Sequence, residues 1–242
     1  MRYIRGSMVK EGYYFGLPLL VLGVAAYLLE WAAVAVILVC LALFVFSFFR
    51  DPERVIPREA GAVVSPADGR VVAVTDEEYD GRPGKRISIF LAVWNVHVNR
   101  APAEGTITKL EYKPGKFLAA MKAQASLENE QNVFTLSTVA GEMVFKQIAG
   151  LIARRVVSWK KTGERVARGE RIGLVRFGSR ADIWLPREAE LLVKVGDNVK
   201  GGSSVLANWP KKTSDVPALE THNAEADVNT SVAGTSVAGK QT

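Results

Sequence analysis

Apolar positions along this chain of 242 residues fall into two regimes. Between residues 12 and 49 the only charged side chain is Glu30, and Leu, Val, Ala and Phe succeed one another with no polar face. Unbroken apolarity of that length belongs in a membrane. One straight helix over it would run roughly 55 Å, against a hydrocarbon core of about 30 Å. Two helices of about 17 to 19 residues fit better, turning near Glu30 and Trp31, so the pattern predicts an N-terminal transmembrane helical hairpin, with one long span as the alternative. A cleaved signal peptide would carry an apolar run of only about 7–15 residues.

Beyond residue 50 the pattern changes to short β-branched runs between Gly, Pro and Asp. Strands are expected at 62–64, 70–74, 86–91, 106–112, 132–137, 142–148 and 171–175. Helices are expected at 151–157 and 118–122, both too short to organise a βαβ sheet. The reading is a mainly β, barrel-sandwich-like soluble domain with short helices. Three segments follow: an anchor at 1–49, a soluble domain at 50–209, and a tail at 210–242 too poor in large apolar residues to order itself.

One frame occurs twice. Gly163, Val166, Gly169 and Ile172 are spaced as Gly196, Val199, Gly202 and Val205 are, 33 positions later. Each copy offers a glycine turn, an inward β-branched residue, a second glycine turn and another inward residue. The repeat resembles the half-motifs of biotinyl and lipoyl carrier domains. A non-enzymatic, membrane-tethered adaptor of that kind is therefore an alternative, although a carrier wants a lysine where this frame has Gly202-Ser203.

The net charge of +6 is compatible with nucleic acid or an anionic membrane surface. The neighbouring apolar segment favours lipid, and no aromatic-rich basic patch or zinc spacing supports nucleic acid. Arg2, Arg5 and Lys10 precede the apolar segment and Arg50, Arg54 and Arg58 follow it, which places both ends on the cytoplasmic side of the inner membrane. Lys160-Lys161 and Lys211-Lys212 suit general attraction to anionic lipid. The lone Cys40 permits neither an intrachain disulfide nor a cysteine metal site.

Several blocks, in order, resemble the short, membrane-anchored prokaryotic form of the phosphatidylserine decarboxylase family. They are Ser65-Pro-Ala-Asp68-Gly69, Phe90-Leu-Ala-Val-Trp-Asn-Val-His97-Val-Asn-Arg100-Ala-Pro102, Tyr112-Lys-Pro114-Gly-Lys116, Asn129-Glu-Gln-Asn132, Gln147-Ile-Ala-Gly150, Gly178-Ser-Arg180-Ala-Asp-Ile-Trp-Leu-Pro186 and Gly201-Gly202-Ser203-Ser204. The resemblance implies a self-cleaving proenzyme, a pyruvoyl-dependent carboxy-lyase that converts phosphatidylserine to phosphatidylethanolamine in phospholipid biosynthesis. Scission would fall between Gly202 and Ser203. The serine hydroxyl attacks the glycine carbonyl to give an ester, elimination leaves dehydroalanine, and tautomerisation to the imine, which water hydrolyses with release of ammonia, leaves a pyruvoyl group. A large chain 1–202 would then pair with a small chain 203–242, and the substrate amine would form a Schiff base with the new ketone. No metal or pyridoxal phosphate is implied.

A serine hydroxyl needs a base, and a carboxylate behind an imidazole strengthens one. The resemblance assigns Asp68 and His97 to those roles beside Ser203. By pattern alone Asp68 is equally a turn residue and His97 a strand histidine, but His222 is the only other imidazole and falls in the expected tail. The longer bacterial form carries a second histidine where Arg100 stands, so His97 would have to serve both self-cleavage and turnover, or another group takes one task. Arg100, Lys116 and Arg180 are the cations expected near the substrate phosphate. A homo-oligomer is compatible with the sequence.

Overall fold

The computed structural model describes residues 8–122, 124–151, 155–176 and 178–209. Arg2, Arg5 and the expected tail, with Lys211, Lys212 and His222, lie outside them.

Two apolar helices, α1 (Lys10–Leu28) and α2 (Ala32–Phe48), form an antiparallel pair. The turn falls where the sequence placed it: the Glu30 N–H donates to the Tyr27 carbonyl (3.0 Å) and the Trp31 N–H to the Ala26 carbonyl (2.8 Å). This is a Schellman C-cap, usually glycine, with Glu30 held at φ 63°. Gly12, Gly16, Gly23 and Ala26 on α1 and Ala35 and Ala42 on α2 are buried, whereas Tyr14, Leu22, Tyr27, Val36, Ile37 and Leu43 are exposed. Small residues inside and large apolar ones outside invert the pattern of a water-exposed helix pair and match helices packed in lipid. α1 is long and apolar enough to cross a membrane; α2 is shorter.

The remainder is mainly β, as expected. In chain order come β1 (Ala62–Val64), β2 (Gly69–Tyr79), β3 (Arg82–Leu91), β4 (Val98–Arg100), β5 (Gly105–Lys113), the one-turn helix α3 (Ala125–Glu128), β6 (Gln131–Thr138), β7 (Gly141–Ile148), β8 (Val156–Ser158), β9 (Arg165–Val166), β10 (Arg171–Val175), β11 (Ser179–Pro186), β12 (Glu190–Leu191), β13 (Asn198–Val199) and β14 (Val205–Asn208). A curled eight-stranded sheet runs β13-β2-β3-β11-β7-β6-β5-β9, with three-stranded sheets β1-β14-β12 and β4-β10-β8. Inward residues such as Val71, Ile89, Ile107, Phe134, Phe145 and Ile183 make the main core. Two expectations are corrected. Val156 and Val157, in the segment expected to be helical, pair with β10 because their β-branched side chains suit its edge. Residues 118–122 form a turn, and the helix sits at 125–128.

The repeated frame becomes the same substructure at opposite ends of the large sheet. β9 edges β5 and β13 edges β2. The Gly163 N–H donates to the Ile107 carbonyl and the Gly196 N–H to that of Val71; the Gly169 N–H donates to the Ala101 carbonyl and the Gly202 N–H to that of Ser65. Val166, Val199 and Ile172 are buried, but Val205 is only half-buried, and Leu206 takes the inward position.

The base of the helix pair joins the β domain through a second cluster: Val9, Val45, Phe48 and Phe49 against Val96, Val98 and Leu174. Phe48 and Phe49 are each 1% exposed, a burial worth about 1.5–3 kcal/mol per side chain. His97 lies in this joint, its ring 4.1 Å from that of Phe48.

Candidate active site

Two turns meet at the candidate scissile bond. The Ser65–Asp68 turn precedes β2, and the loop 200–204 links β13 to β14. Asp68 Oδ1 accepts the Gly201 N–H at 2.7 Å, and the Ser65 carbonyl accepts that of Gly202 at 2.7 Å. The Ser65 N–H donates to the Ser204 carbonyl at 2.8 Å. The loop closes on itself, since the Lys200 carbonyl accepts the N–H groups of both Ser203 and Ser204. Gly202 has φ +77°, a conformation that costs an L-residue about 1–2 kcal/mol. A Cβ there would lie 2.8 Å from Arg100 Cδ and 3.1 Å from Ile56 Cδ1.

The two serines differ in their surroundings. Ser204 Oγ accepts the Lys200 N–H at 2.9 Å. The Ser203 hydroxyl is half-buried and has no hydrogen-bond partner among the described residues. In the companion turn the residue matching Ser203 is Glu170, whose carboxylate accepts the Ala167 N–H (2.8 Å) and pairs with Lys160. Ser204 thus performs the backbone capping that Glu170 performs in the other copy, which leaves Ser203 unengaged.

Charged groups surround the loop. Arg54 Nη2 donates to both Asp68 oxygens, at 3.0 and 2.8 Å. Arg100 extends from the end of β4 under Gly202, donating to the Gly169 carbonyl at 3.1 Å and pairing with Asp51 at 2.9 Å. Burial lowers the Arg100 pKa and the Asp51 charge opposes the shift. Asp51 also accepts from Arg171 Nε at 2.6 Å. Ile56 lies between the two glycine turns, touching the positions where Gly169 and Gly202 would carry a Cβ.

The expected residues are only partly brought together. Asp68, Gly202, Ser203 and Arg100 share this locus. His97 stands at the other end of β4, roughly 10 Å of extended chain from Arg100. Its Nδ1 is 2.8 Å from the Asn95 carbonyl, an acceptor only, so Nδ1 carries the proton and Nε2 presents a lone pair. Nε2 is buried and has no hydrogen-bond partner among the described residues. Burial pushes the imidazole down to about 4, the Asn95 hydrogen bond opposes the shift and the Arg50 charge adds to it. No hydrogen-bonded chain from Asp68 through His97 to Ser203 is formed. Arg180 is 3% exposed, with Asp182, Ser88 and the Lys122 carbonyl taking its nitrogens. Lys116 is exposed and paired with Glu128. Among the described residues no group of three or more His, Cys, Asp or Glu is placed to hold a metal.

Sequence reasoning missed Arg54 as more than a basic flank, and missed Asp51 and Ile56 altogether. Their roles arise only when the segment leaving α2 crosses both glycine turns; the clustering of Asp51, Glu53 and Arg54 directly after the apolar stretch was the available signal.

The profile of the phosphatidylserine decarboxylase family matches residues 41–207. The chain belongs to the phosphatidylserine decarboxylase family. It is 48% identical over 211 residues to a protein of Symbiobacterium thermophilum named phosphatidylserine decarboxylase proenzyme, covering 86% of this chain and 98% of that protein. A Solibacter usitatus protein of the same name is 50% identical over 205 residues, covering 83% and 96%, and one of Geotalea uraniireducens is 43% identical over 213 residues, covering 87% and 100%. The matched family region includes the two turns and most of β1 to β14, as well as the last residues of α2.

Proposed function

We propose that this chain is a phosphatidylserine decarboxylase proenzyme that cuts itself between Gly202 and Ser203. The observation that carries the reading is the unengaged Ser203 hydroxyl following a glycine held at φ +77°, in a turn whose twin has a capping glutamate in its place. A left-handed glycine exposes its carbonyl to the next side chain. Asp68 and the Ser65 carbonyl fix the preceding amides, so the loop is rigid before attack.

Asp68 is the carboxylate nearest this loop, and we assign it to receive or direct the Ser203 proton, with Arg54 holding its orientation. His97, neutral at physiological pH, is suited to accept a proton rather than to store one. Its separation from the loop implies that it acts after a local shift of β4 or in turnover following cleavage. Arg100, paired with Asp51 and seated under Gly202, positions the loop. The engaged nitrogens of Arg180 favour a structural role over the phosphate contact expected for it, and Lys116 is exposed but paired with Glu128. A pyruvoyl group made from Ser203 would supply a ketone that holds the substrate amine and withdraws electrons as carbon dioxide leaves.

Residues 1–49 are proposed as a membrane anchor, with the domain 50–209 facing the cytoplasm. Tyr13 and Tyr14 at the base and Tyr27 and Trp31 at the tip are exposed, and Tyr13 and Tyr27 lie roughly 20 Å apart along α1, as aromatic belts at two interfaces do. Anchoring raises the local concentration of a bilayer substrate. The test is release of carbon dioxide from phosphatidylserine in mixed micelles. Wild-type protein should produce phosphatidylethanolamine, and Ser203→Ala should be uncut and inert; turnover by Ser203→Ala would overturn the proposal.

A further inference from the structure

At the base of the helix pair lies a groove of about 550 Å³, within the range of about 300–1,000 Å³ typical of small-molecule sites. Its walls are Tyr14, Phe15 and Leu19 from α1, Leu41 from α2 and Phe49 just past it, and its one charged lining residue is Arg176, just past β10. Among the described residues Arg176 Nε is buried with no hydrogen-bond partner. The guanidinium lies over the Phe15 ring at 5.8 Å, and its Nη2 is 3.9 Å from Glu11, beyond hydrogen-bond reach. An incompletely satisfied guanidinium at the end of an apolar groove calls for an anion that carries a hydrocarbon tail.

We propose that the groove binds one ammonium-bearing phospholipid of the bilayer, with an acyl chain against Leu19 and Leu41, the phosphate on Arg176 and the ammonium toward Glu11. The inference rests on the membrane reading of α1 and α2 given above. Arg176 lies where the helices leave the proposed bilayer, the level of lipid phosphates. Glu11 disfavours a purely anionic headgroup and supplies the partner for an ammonium. The site also adjoins the candidate chemistry, because Phe49 lines it, Phe48 covers His97 and the Val175 N–H donates to the His97 carbonyl.

The test uses the uncut Ser203→Ala chain in nanodiscs, so that neither self-cleavage nor turnover affects the result. Native mass spectrometry counts lipids retained from equal amounts of dioleoyl phosphatidylethanolamine and dioleoyl phosphatidylglycerol. One retained phosphatidylethanolamine per chain is expected. Arg176→Ala should lower retention by roughly tenfold to a hundredfold, the worth of charge-assisted hydrogen bonds, and Glu11→Gln should abolish the preference for the amine lipid. Leu41→Trp fills the groove at a partly exposed position without touching the charged pair, and should also expel the lipid, which decides the matter if Arg176→Ala does not fold. Unchanged retention in Leu41→Trp, or indiscriminate binding of both lipids, would overturn the site while leaving the decarboxylase reading intact. A chain that fails to enter nanodiscs overturns the membrane reading and this site with it.

Discussion

Replacing Gly202 by alanine separates the geometry of self-cleavage from the stability of the fold, because the molecule contains its own control. Gly202 has φ +77° and Gly169, in the companion turn, φ +74°. Alanine in that region costs about 1–2 kcal/mol of backbone energy. Its Cβ at 202 would meet Arg100 Cδ at 2.8 Å, a carbon held in place by the pairing with Asp51 and Gly169, so crowding adds about 1–3 kcal/mol. At 169 the new Cβ meets the Ile56 side chain instead, with a comparable penalty. If the attack-competent turn is the one observed, the backbone term alone slows cleavage of Gly202→Ala by roughly 5- to 30-fold, whereas Gly169→Ala loses stability but cleaves at nearly the wild-type rate. Denaturing electrophoresis of protein sampled through a time course reads the rate, and thermal denaturation reads the stability. Cleavage of Gly202→Ala at the wild-type rate, or equal slowing in both variants, would refute a role for the Gly202 conformation.

Three further outcomes are expected. Because burial holds the His97 pKa at about 4, below the ordinary 6.5, the unfolded chain binds the extra proton between those values; the associated stability, roughly 3 kcal/mol, is complete above pH 6.5 and lost as pH falls toward 4. Melting curves of His97→Gln should lack that acid limb, and an unchanged limb would assign it elsewhere. Asp182→Ala leaves the buried Arg180 guanidinium without its ion pair, whose side chains are 3% and 2% exposed, and should cost about 3–5 kcal/mol in denaturant titrations; a loss under about 1 kcal/mol would show that the pair is solvated. Gly16→Leu places a side chain against the Phe46 ring across the helix pair and should loosen it, detected as lost contact between cysteine labels on α1 and α2, while an unchanged label distance would contradict the close packing.

How far the sequence disclosed this structure depended on whether the signal was local. Apolar continuity located both helices and the turn at Glu30. Period-two patterns located the cores of β1, β2, β3, β5, β6, β7 and β10. β11 was absent from the pattern because Arg180 and Asp182 break its apolar run, although both are buried and satisfy each other. The outer halves of β2 and β3 lie beyond the expected strands because Asp76, Glu77 and Glu78 carry no apolar alternation, while Asp80-Gly81, with φ 51° and 73°, forms the hairpin turn between them. The segment around Val156 differs from the expected helix since its state is decided by pairing with β10. At the site, the double glycine frame was visible as spacing, and Asp68 and Ser203 came from family resemblance. The contributions of Arg54, Asp51 and Ile56 were not legible, because each acts across a long sequence separation. The distance of His97 from the loop likewise depends on how β4 lies beneath both turns.

The most direct test of self-cleavage is the intact mass of the chains separated from active, purified protein. The expected result is one fragment ending at the Gly202 carboxylate and another covering residues 203–242 that is lighter, by one ammonia, than the same fragment beginning with serine. Active protein in which Ser203 is still joined to Gly202 would contradict it.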